Sequence, residues 1–163
     1  GVDKNNHTLI ILNILGKMDD LDKITFSVIL GPTAPNVESV RFACLNHRYD
    51  VRLLVAVENM AELMANCDLA IGAAGATTWE RCCVGLPTIL LTLADNQRYI
   101  ADTLSKNNIV LTVSSSDCLE STLPLHIRKC LDNREFLANM TKSSIDLVDG
   151  QGAEKIARYL REN

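Results

Sequence analysis

One glycine-rich stretch between two apolar runs constrains this chain more than any other feature: Gly72-Ala73-Ala74-Gly75-Ala76-Thr77-Thr78-Trp79-Glu80-Arg81-Cys82-Cys83-Val84-Gly85-Leu86-Pro87. Before it, Cys67-Asp68-Leu69-Ala70-Ile71 reads as a buried strand, and Leu86 to Leu93 returns as another. The two glycines let the backbone turn tightly with its amides exposed, and Thr77 to Val84 reads as a helix. Gly85-Leu86-Pro87 stops that helix, since glycine caps it and proline cannot continue it. A strand feeding a glycine turn and a helix start builds an anion site, because free N–H groups and the helix dipole point the same way. Ala94-Asp95-Asn96-Gln97 forms a polar corner where the second strand ends.

The rest of the chain reads as scaffold for these two loops. Residues from about Asn6 to Met18 are apolar nearly all round, which fits helix or strand; the length and the Gly16-Lys17 ending favour helix. Ile24 to Leu30, bounded by Gly31-Pro32, is a strand. Asn36 to Arg48 is a helix with Val37, Val40, Ala43 and Cys44 on one face, and Val51 to Val57 is a strand. Asn59-Met60-Ala61-Glu62 fits a capping box opening a helix to about Asn66. Asn96 to Lys106 is a helix, Ile109 to Val113 a last strand, and Ser114-Ser115-Ser116-Asp117 a turn. Helices over Cys118 to Asp132, Arg134 to Val148 and, past Gly150-Gln151-Gly152, Ala153 to Arg161 complete the chain.

Five short apolar runs alternating with helices predict an α/β domain, a parallel sheet covered by helices on both faces. Its ligand lies beyond the carboxyl ends of the strands, where the loops at Gly1 to Asn6, Val57 to Met60, Gly72 to Thr78 and Ala94 to Gln97 gather. The opening Gly1-Val2-Asp3-Lys4-Asn5-Asn6 reads as a loop that follows a strand. The chain is therefore expected to be the later half of a longer protein, with a sixth strand before Gly1; a protein that begins in a loop is the alternative.

With 163 residues, 47% of them apolar, the chain can bury a core as one domain. Its net charge of −4 carries no basic cluster, which argues against sequence-independent binding of nucleic acid. No apolar run approaches a membrane span and no signal peptide opens the chain, so a cytoplasmic location is expected. Cys44, Cys67, Cys82, Cys83, Cys118 and Cys130 show no paired-ligand spacing and read as small thiols in a reduced compartment. His7, His47 and His126 are scattered and read as surface or capping residues.

Gly72 and Gly75 alone fit a turn made for packing as well as an anion site. Thr77 and Thr78 add hydroxyl donors at the helix start. Thr77-Thr78-Trp79-Glu80 also matches a capping box, with Glu80 reaching back to the N-cap amide. The other reading makes Glu80 a ligand: a carboxylate repels phosphate, so it would face an uncharged group with donors, such as a ribose diol. Trp79, the sole tryptophan, is expected in core or interface packing. Asp95-Asn96-Gln97 fits a helix cap or a set of hydrogen bonds to a sugar. The sequence offers no Ser/His/Asp triad, no metal cluster and no clear pair of acid/base carboxylates. It suggests a nucleotide site with no metal, no cofactor and no evident base.

GAAGATTWERCCVGLPTILLTLADNQ resembles the corresponding stretch of the UDP-sugar hydrolase family of pseudaminic acid biosynthesis, which removes UDP from a 2,4-diacetamido-2,4,6-trideoxy-hexose. More distantly it is similar to the carboxyl-terminal half of the N-acetylglucosaminyltransferase that makes lipid II. Gly1-Val2-Asp3-Lys4-Asn5-Asn6, Val57-Glu58-Asn59-Met60-Ala61-Glu62-Leu63-Met64 and Gly150-Gln151-Gly152-Ala153 extend the resemblance over almost the whole chain. It implies a Rossmann-like domain, the carboxyl-terminal domain of a GT-B fold, that holds UDP. It also implies that Glu80 binds the ribose hydroxyls and that Gly75, Ala76, Thr77 and Thr78 hold the pyrophosphate, with the Gly1 and Asp3 loop on its other side. Backbone around Val57, Asn59 and Met60 would read uracil, and Asn96 and Gln97 would reach phosphate or sugar. The family's proposed catalytic histidine lies in an amino-terminal domain, so no catalytic residue is expected here and that domain is the implied partner. A transferase domain, or a module that holds a nucleotide sugar without turnover, is the alternative.

Overall fold

The computed structural model describes residues 3–114 and 119–162. Gly1, residues 115–117 of the expected turn, and Cys118 lie outside the described residues. The chain divides into two compact units, Gly1–Met60 and Ala61–Asn163.

In the first unit, α1 (His7–Lys17), β1 (Thr25–Leu30), α2 (Val37–Leu45) and β2 (Asp50–Val55) follow one another. The ambiguous apolar run is a helix because its first turn is well capped. Asn6, in the left-handed region at φ 53°, accepts from the Leu9 amide, and Asp3 takes the amides of His7 and Thr8 at 2.8 and 2.9 Å. β1 and β2 pair in parallel from Thr25 opposite Asp50 to Leu30 opposite Val55. Leu12, Leu30, Val40 and Cys44 form the core between these layers. His47 joins that packing: its Nδ1 accepts from the Tyr49 amide, so its protonated Nε2 donates to the Leu12 carbonyl at 3.0 Å.

In the second unit, α3 (Met60–Ala65), which starts on the last residue of the first, leads to β3 (Ala70–Ala73) and α4 (Ala76–Cys83). β4 (Thr88–Thr92), α5 (Asp95–Lys106), β5 (Val110–Ser114), α6 (Leu119–Asp132), α7 (Arg134–Leu147) and α8 (Gly152–Glu162) follow. The ladder order is β3-β4-β5, all parallel. Every residue of the central strand β4 is buried, as its unbroken apolar run requires when both faces are covered. Ala74, Cys82, Leu90, Ala101, Leu104, Ile109 and Val110 make one core cluster.

The described strands form two ladders, β1-β2 in the first unit and β3-β4-β5 in the second. β3 is the shortest strand, and its Ala70, Ile71, Gly72 and Ala73 all register with β4. Both ladders keep the expected parallel sense and are flanked by helices.

Candidate functional site

The turn from β3 into α4 is held from beneath by Arg81. This side chain is 6% exposed. Its Nε donates to the Thr77 carbonyl at 3.2 Å, and its Nη2 donates to the Ala73 carbonyl at 3.0 Å and to Thr78 Oγ1 at 3.4 Å. Thr78, Arg81 and Cys82 recur at helical spacing on the buried side of α4, which is why a charged residue turns inward here. Gly72 makes room for it, because a Cβ at that position would lie 2.0 Å from Arg81 Nη1. Burial pulls the Arg81 pKa down, and the charges of Cys82 and Glu80 pull it back up.

The helix begins one step earlier than Thr77, and this moves the capping box. Gly75 is the N-cap, and its amide donates to Thr78 Oγ1 at 3.2 Å while the Thr78 amide donates to the Gly75 carbonyl at 3.0 Å. The cap therefore runs between Gly75 and Thr78, not Thr77 and Glu80, and it is half a box: Thr78 Oγ1 takes the Gly75 amide, but glycine has no side chain to take the Thr78 amide. Thr78, at 2% exposure, sits inside the turn, whereas Gly75, Ala76 and Thr77 are exposed. Space is open on the side of Gly75 where a Cβ would stand. The amides of Ala76 and Thr77 are first-turn donors with no acceptor inside the helix. Glu80 is exposed and has no hydrogen bond or ion pair among the described residues.

At its other end α4 closes in a Schellman motif. Gly85, at φ 68°, donates to the Cys82 carbonyl at 3.0 Å, and Leu86 donates to the Arg81 carbonyl at 2.9 Å. A Cβ on Gly85 would also meet Ile145 Cδ1 at 2.8 Å, so glycine is needed here for both backbone and space.

The second loop is joined to the first by Gln97. Its Oε1 accepts from the Leu93 amide at 2.9 Å and its Nε2 donates to the Ala74 carbonyl at 2.7 Å. Both ends of this amide are thus committed to backbone. Asn96, in the first turn of α5, is exposed, and the neighbouring Asp95 pairs with Arg98 at 3.0 Å. Trp79 is 41% exposed, so of the core or interface packing expected for it the core is excluded. Sequence reasoning left Arg81 without a role; the nine-residue spacing from Gly72 and its place on the apolar side of the helix were the available signals.

The remaining candidates belong to the first unit. Both carboxylate oxygens of Asp3 hold the start of α1: Oδ1 faces the His7 amide and ring, and Oδ2 accepts from the Thr8 amide and hydroxyl. Burial pushes the Asp3 pKa up, but these hydrogen bonds outweigh it and hold the carboxyl below its usual range. Val57 and Met60 are half-buried and Asn59 is exposed, in a loop that follows the left-handed Ala56 at φ 56°. Gly1 lies outside the described residues.

Each histidine has a local partner: His7 with Asp3, His47 with Leu12 and Tyr49, and His126 with the Thr112 carbonyl at 3.1 Å. Cys44, Cys82 and Cys130 are buried free thiols, with burial pushing Cys130 up to about 11; Cys67 is half-buried and Cys83 exposed. Among the described residues no group of three or more His, Cys, Asp or Glu could hold a metal ion. No helix among them is long and apolar enough to cross a membrane.

The family model described as "Glycosyltransferase family 28 C-terminal domain" matches residues 9–159. The spore coat polysaccharide biosynthesis protein SpsG of Bacillus subtilis is 22% identical over 153 residues, covering 93% of this chain and 45% of that protein. The UDP-N-acetylglucosamine--N-acetylmuramyl-(pentapeptide) pyrophosphoryl-undecaprenol N-acetylglucosamine transferase of Methylococcus capsulatus is 33% identical over 111 residues, 65% of this chain and 31% of the transferase. Among solved structures, MurG of Acinetobacter baumannii matches with a TM-score of 0.78 at 17% identity, over 100% of this chain and 48% of that one. WaaG, a glycosyltransferase involved in lipopolysaccharide biosynthesis, matches at 0.70 and 21% identity, over 93% of this chain and 42% of that one. These structural likenesses carry the fold, parallel sheets flanked by helices as in one half of a GT-B protein. The chain spans less than half the length of each of these relatives.

Proposed function

Because the chain belongs to the glycosyltransferase family 28 C-terminal domain family, we propose that it holds the UDP portion of a nucleotide sugar on the loops after β3 and β4. In this reading the amides of Ala76 and Thr77, beside the open side of Gly75, take the diphosphate, and Glu80 takes the ribose hydroxyls. Thr78 and Gln97 keep the two loops in shape from within, and Asn96 faces the ligand. The observation that carries the reading is the pairing of an open, exposed helix start at Gly75 to Thr77 with an exposed, unpaired carboxylate one turn further at Glu80. Anion and diol, the two halves of a ribose diphosphate, want those two environments.

The whole protein, with a further domain amino-terminal to this chain, is an enzyme that cleaves UDP from a diacetamido-trideoxyhexose in surface polysaccharide or nonulosonic (pseudaminic) acid biosynthesis. Trp79-Glu80-Arg81 and Ala94-Asp95-Asn96-Gln97 support the hydrolase over the transferase, and the polysaccharide role named for SpsG supports the setting. A UDP-sugar transferase is the second reading, favoured by the 33% identity to the Methylococcus capsulatus enzyme. No metal takes part in holding UDP.

Amide chemical-shift mapping tests the binding mode. Titration with UDP is expected to move the amides of Gly75, Ala76, Thr77 and Asn96 most within the second unit. Shifts spread evenly over the chain, with these residues unmoved, would contradict it. Mixing the longer protein with a UDP-linked diacetamido-trideoxyhexose separates the two activities: free sugar released without an acceptor supports the hydrolase, and release only with an acceptor supports the transferase.

A further inference from the structure

Arg81 is more than nine-tenths buried, yet it has no carboxylate partner among the described residues. Its three hydrogen bonds all go to uncharged oxygens, those of Ala73, Thr77 and Thr78. Nη1 has no hydrogen-bond partner among them, although it is not sealed from solvent. Glu80, the adjacent acid, is exposed and makes no hydrogen bond or ion pair to it, so its charge offsets the burial of Arg81 only in part. A desolvated guanidinium without a counter-charge is unfavourable, and proteins keep one where something else supplies the charge. Its depressed pKa has the same origin, since burial is the leading cause.

The three oxygens that Arg81 grips belong to the turn that carries the exposed residues Gly75, Ala76 and Thr77. Thr78 Oγ1 sits between the two layers. It accepts from Arg81 on the inner side and from the Gly75 amide at 3.2 Å in the turn itself. Gly72 is glycine because of this seat, since any Cβ there would displace Nη1.

We propose that Arg81 is the positioning residue for the diphosphate: its buried positive charge, held behind the β3–α4 turn, is balanced by the ligand's phosphates across the turn. The inference rests on the reading that this turn binds UDP and adds to it the source of the counter-charge. Arg81 does not touch the ligand. It acts through the turn, fixing the amides and setting the potential they present.

The experiment compares UDP with uridine, which lacks the phosphates, in wild type, Arg81→Met, Arg81→Lys and Gly72→Ala, each checked for a cooperative thermal melt. Wild type that binds no UDP sinks the parent reading, independently of Arg81. If wild type binds, the ratio of uridine to UDP dissociation constants is expected to fall about tenfold or more in Arg81→Met, and in the same direction in Gly72→Ala. Arg81→Lys keeps the charge and loses the planar fork, so its melting temperature falls while the ratio stays within about threefold of wild type. A folded Arg81→Met with an unchanged ratio would overturn the proposal, leaving Arg81 as a prop for the turn. Should the methionine variant fail to fold, the lysine variant decides: a tenfold collapse of its ratio would overturn the role of charge.

Discussion

Gln97 donates from Nε2 to the Ala74 carbonyl at 2.7 Å and accepts at Oε1 from the Leu93 amide at 2.9 Å, so one side chain ties the turn after β3 to the start of α5. Both bonds are half-buried, and removing the amide strands a carbonyl and an N–H in two loops at once. Gln97→Ala is expected to lower unfolding free energy by about 1–3 kcal/mol in urea. UDP affinity should fall along with it, because the two loops lose their common anchor. Glu at this position keeps the acceptor but not the donor, and should recover only part of the loss.

Glu80 and Thr78 exchange the roles that their spacing suggests. The cap runs between Gly75 and Thr78 through the Thr78 hydroxyl, and Glu80 stands free at the surface. Glu80→Ala should therefore leave the melting temperature unchanged and weaken UDP by about tenfold or more, since hydrogen bonds to a charged group are worth roughly 1.5–3 kcal/mol. Pyrophosphate affinity should stay nearly constant. Thr78→Ala should do the reverse in the melt, with a loss of about 1 kcal/mol typical of a broken cap. Unchanged UDP affinity in Glu80→Ala would remove the ribose role.

Gly85 sets the end of α4 through a left-handed φ of 68° and a space already filled by Ile145. Gly85→Ala meets both penalties, and the backbone part alone is about 1–2 kcal/mol. A chevron or equilibrium melt checks it; a neutral substitution would mean that α7 moves aside without loss.

Asp3 supplies a pH dependence. Its carboxyl is held below the usual range by Thr8 and His7, so it stabilises the fold when ionised. That contribution is complete above the unfolded-state value of about 3.9 and is lost as pH falls through the lower folded value. The stability gap between wild type and Asp3→Ala is expected to be flat above about pH 5 and to close on acidification below about pH 4. A gap that widens in acid would show the opposite sign.

The chain by itself should not release sugar from a UDP-linked substrate at a useful rate. Every histidine is engaged with a local partner, and positioned general acid–base help is typically worth ~10²–10⁴-fold. Steady product formation by the purified 163-residue chain in a reducing-sugar assay would contradict this.

Most of the fold was legible because periodicity and punctuation agree in this sequence. Gly31-Pro32, Gly85-Leu86-Pro87 and the Asn6 cap bound elements that differ from their predicted spans by only a few residues. What escaped is what depends on a partner distant in sequence or on a side chain's direction. Helical spacing hints that Arg81 turns inward, but nothing local says that it meets Gly72, that Gln97 reaches Ala74, or that Trp79 faces out. The shift of the capping box has the same cause: Thr77-Thr78-Trp79-Glu80 satisfies the pattern, but the helix starts at Ala76 because Gly75 is already extended at φ 173°.

Calorimetric titration of the chain with UDP, ADP and GDP tests the central claim most directly. A site made for a uridine nucleotide, with the ribose diphosphate on Glu80 and the β3–α4 turn, should favour UDP over either purine nucleotide. The expected preference exceeds ~1.4 kcal/mol, which is tenfold in affinity. Equal affinities for the three nucleotides, or no heat of binding with UDP at millimolar concentration, would contradict the account.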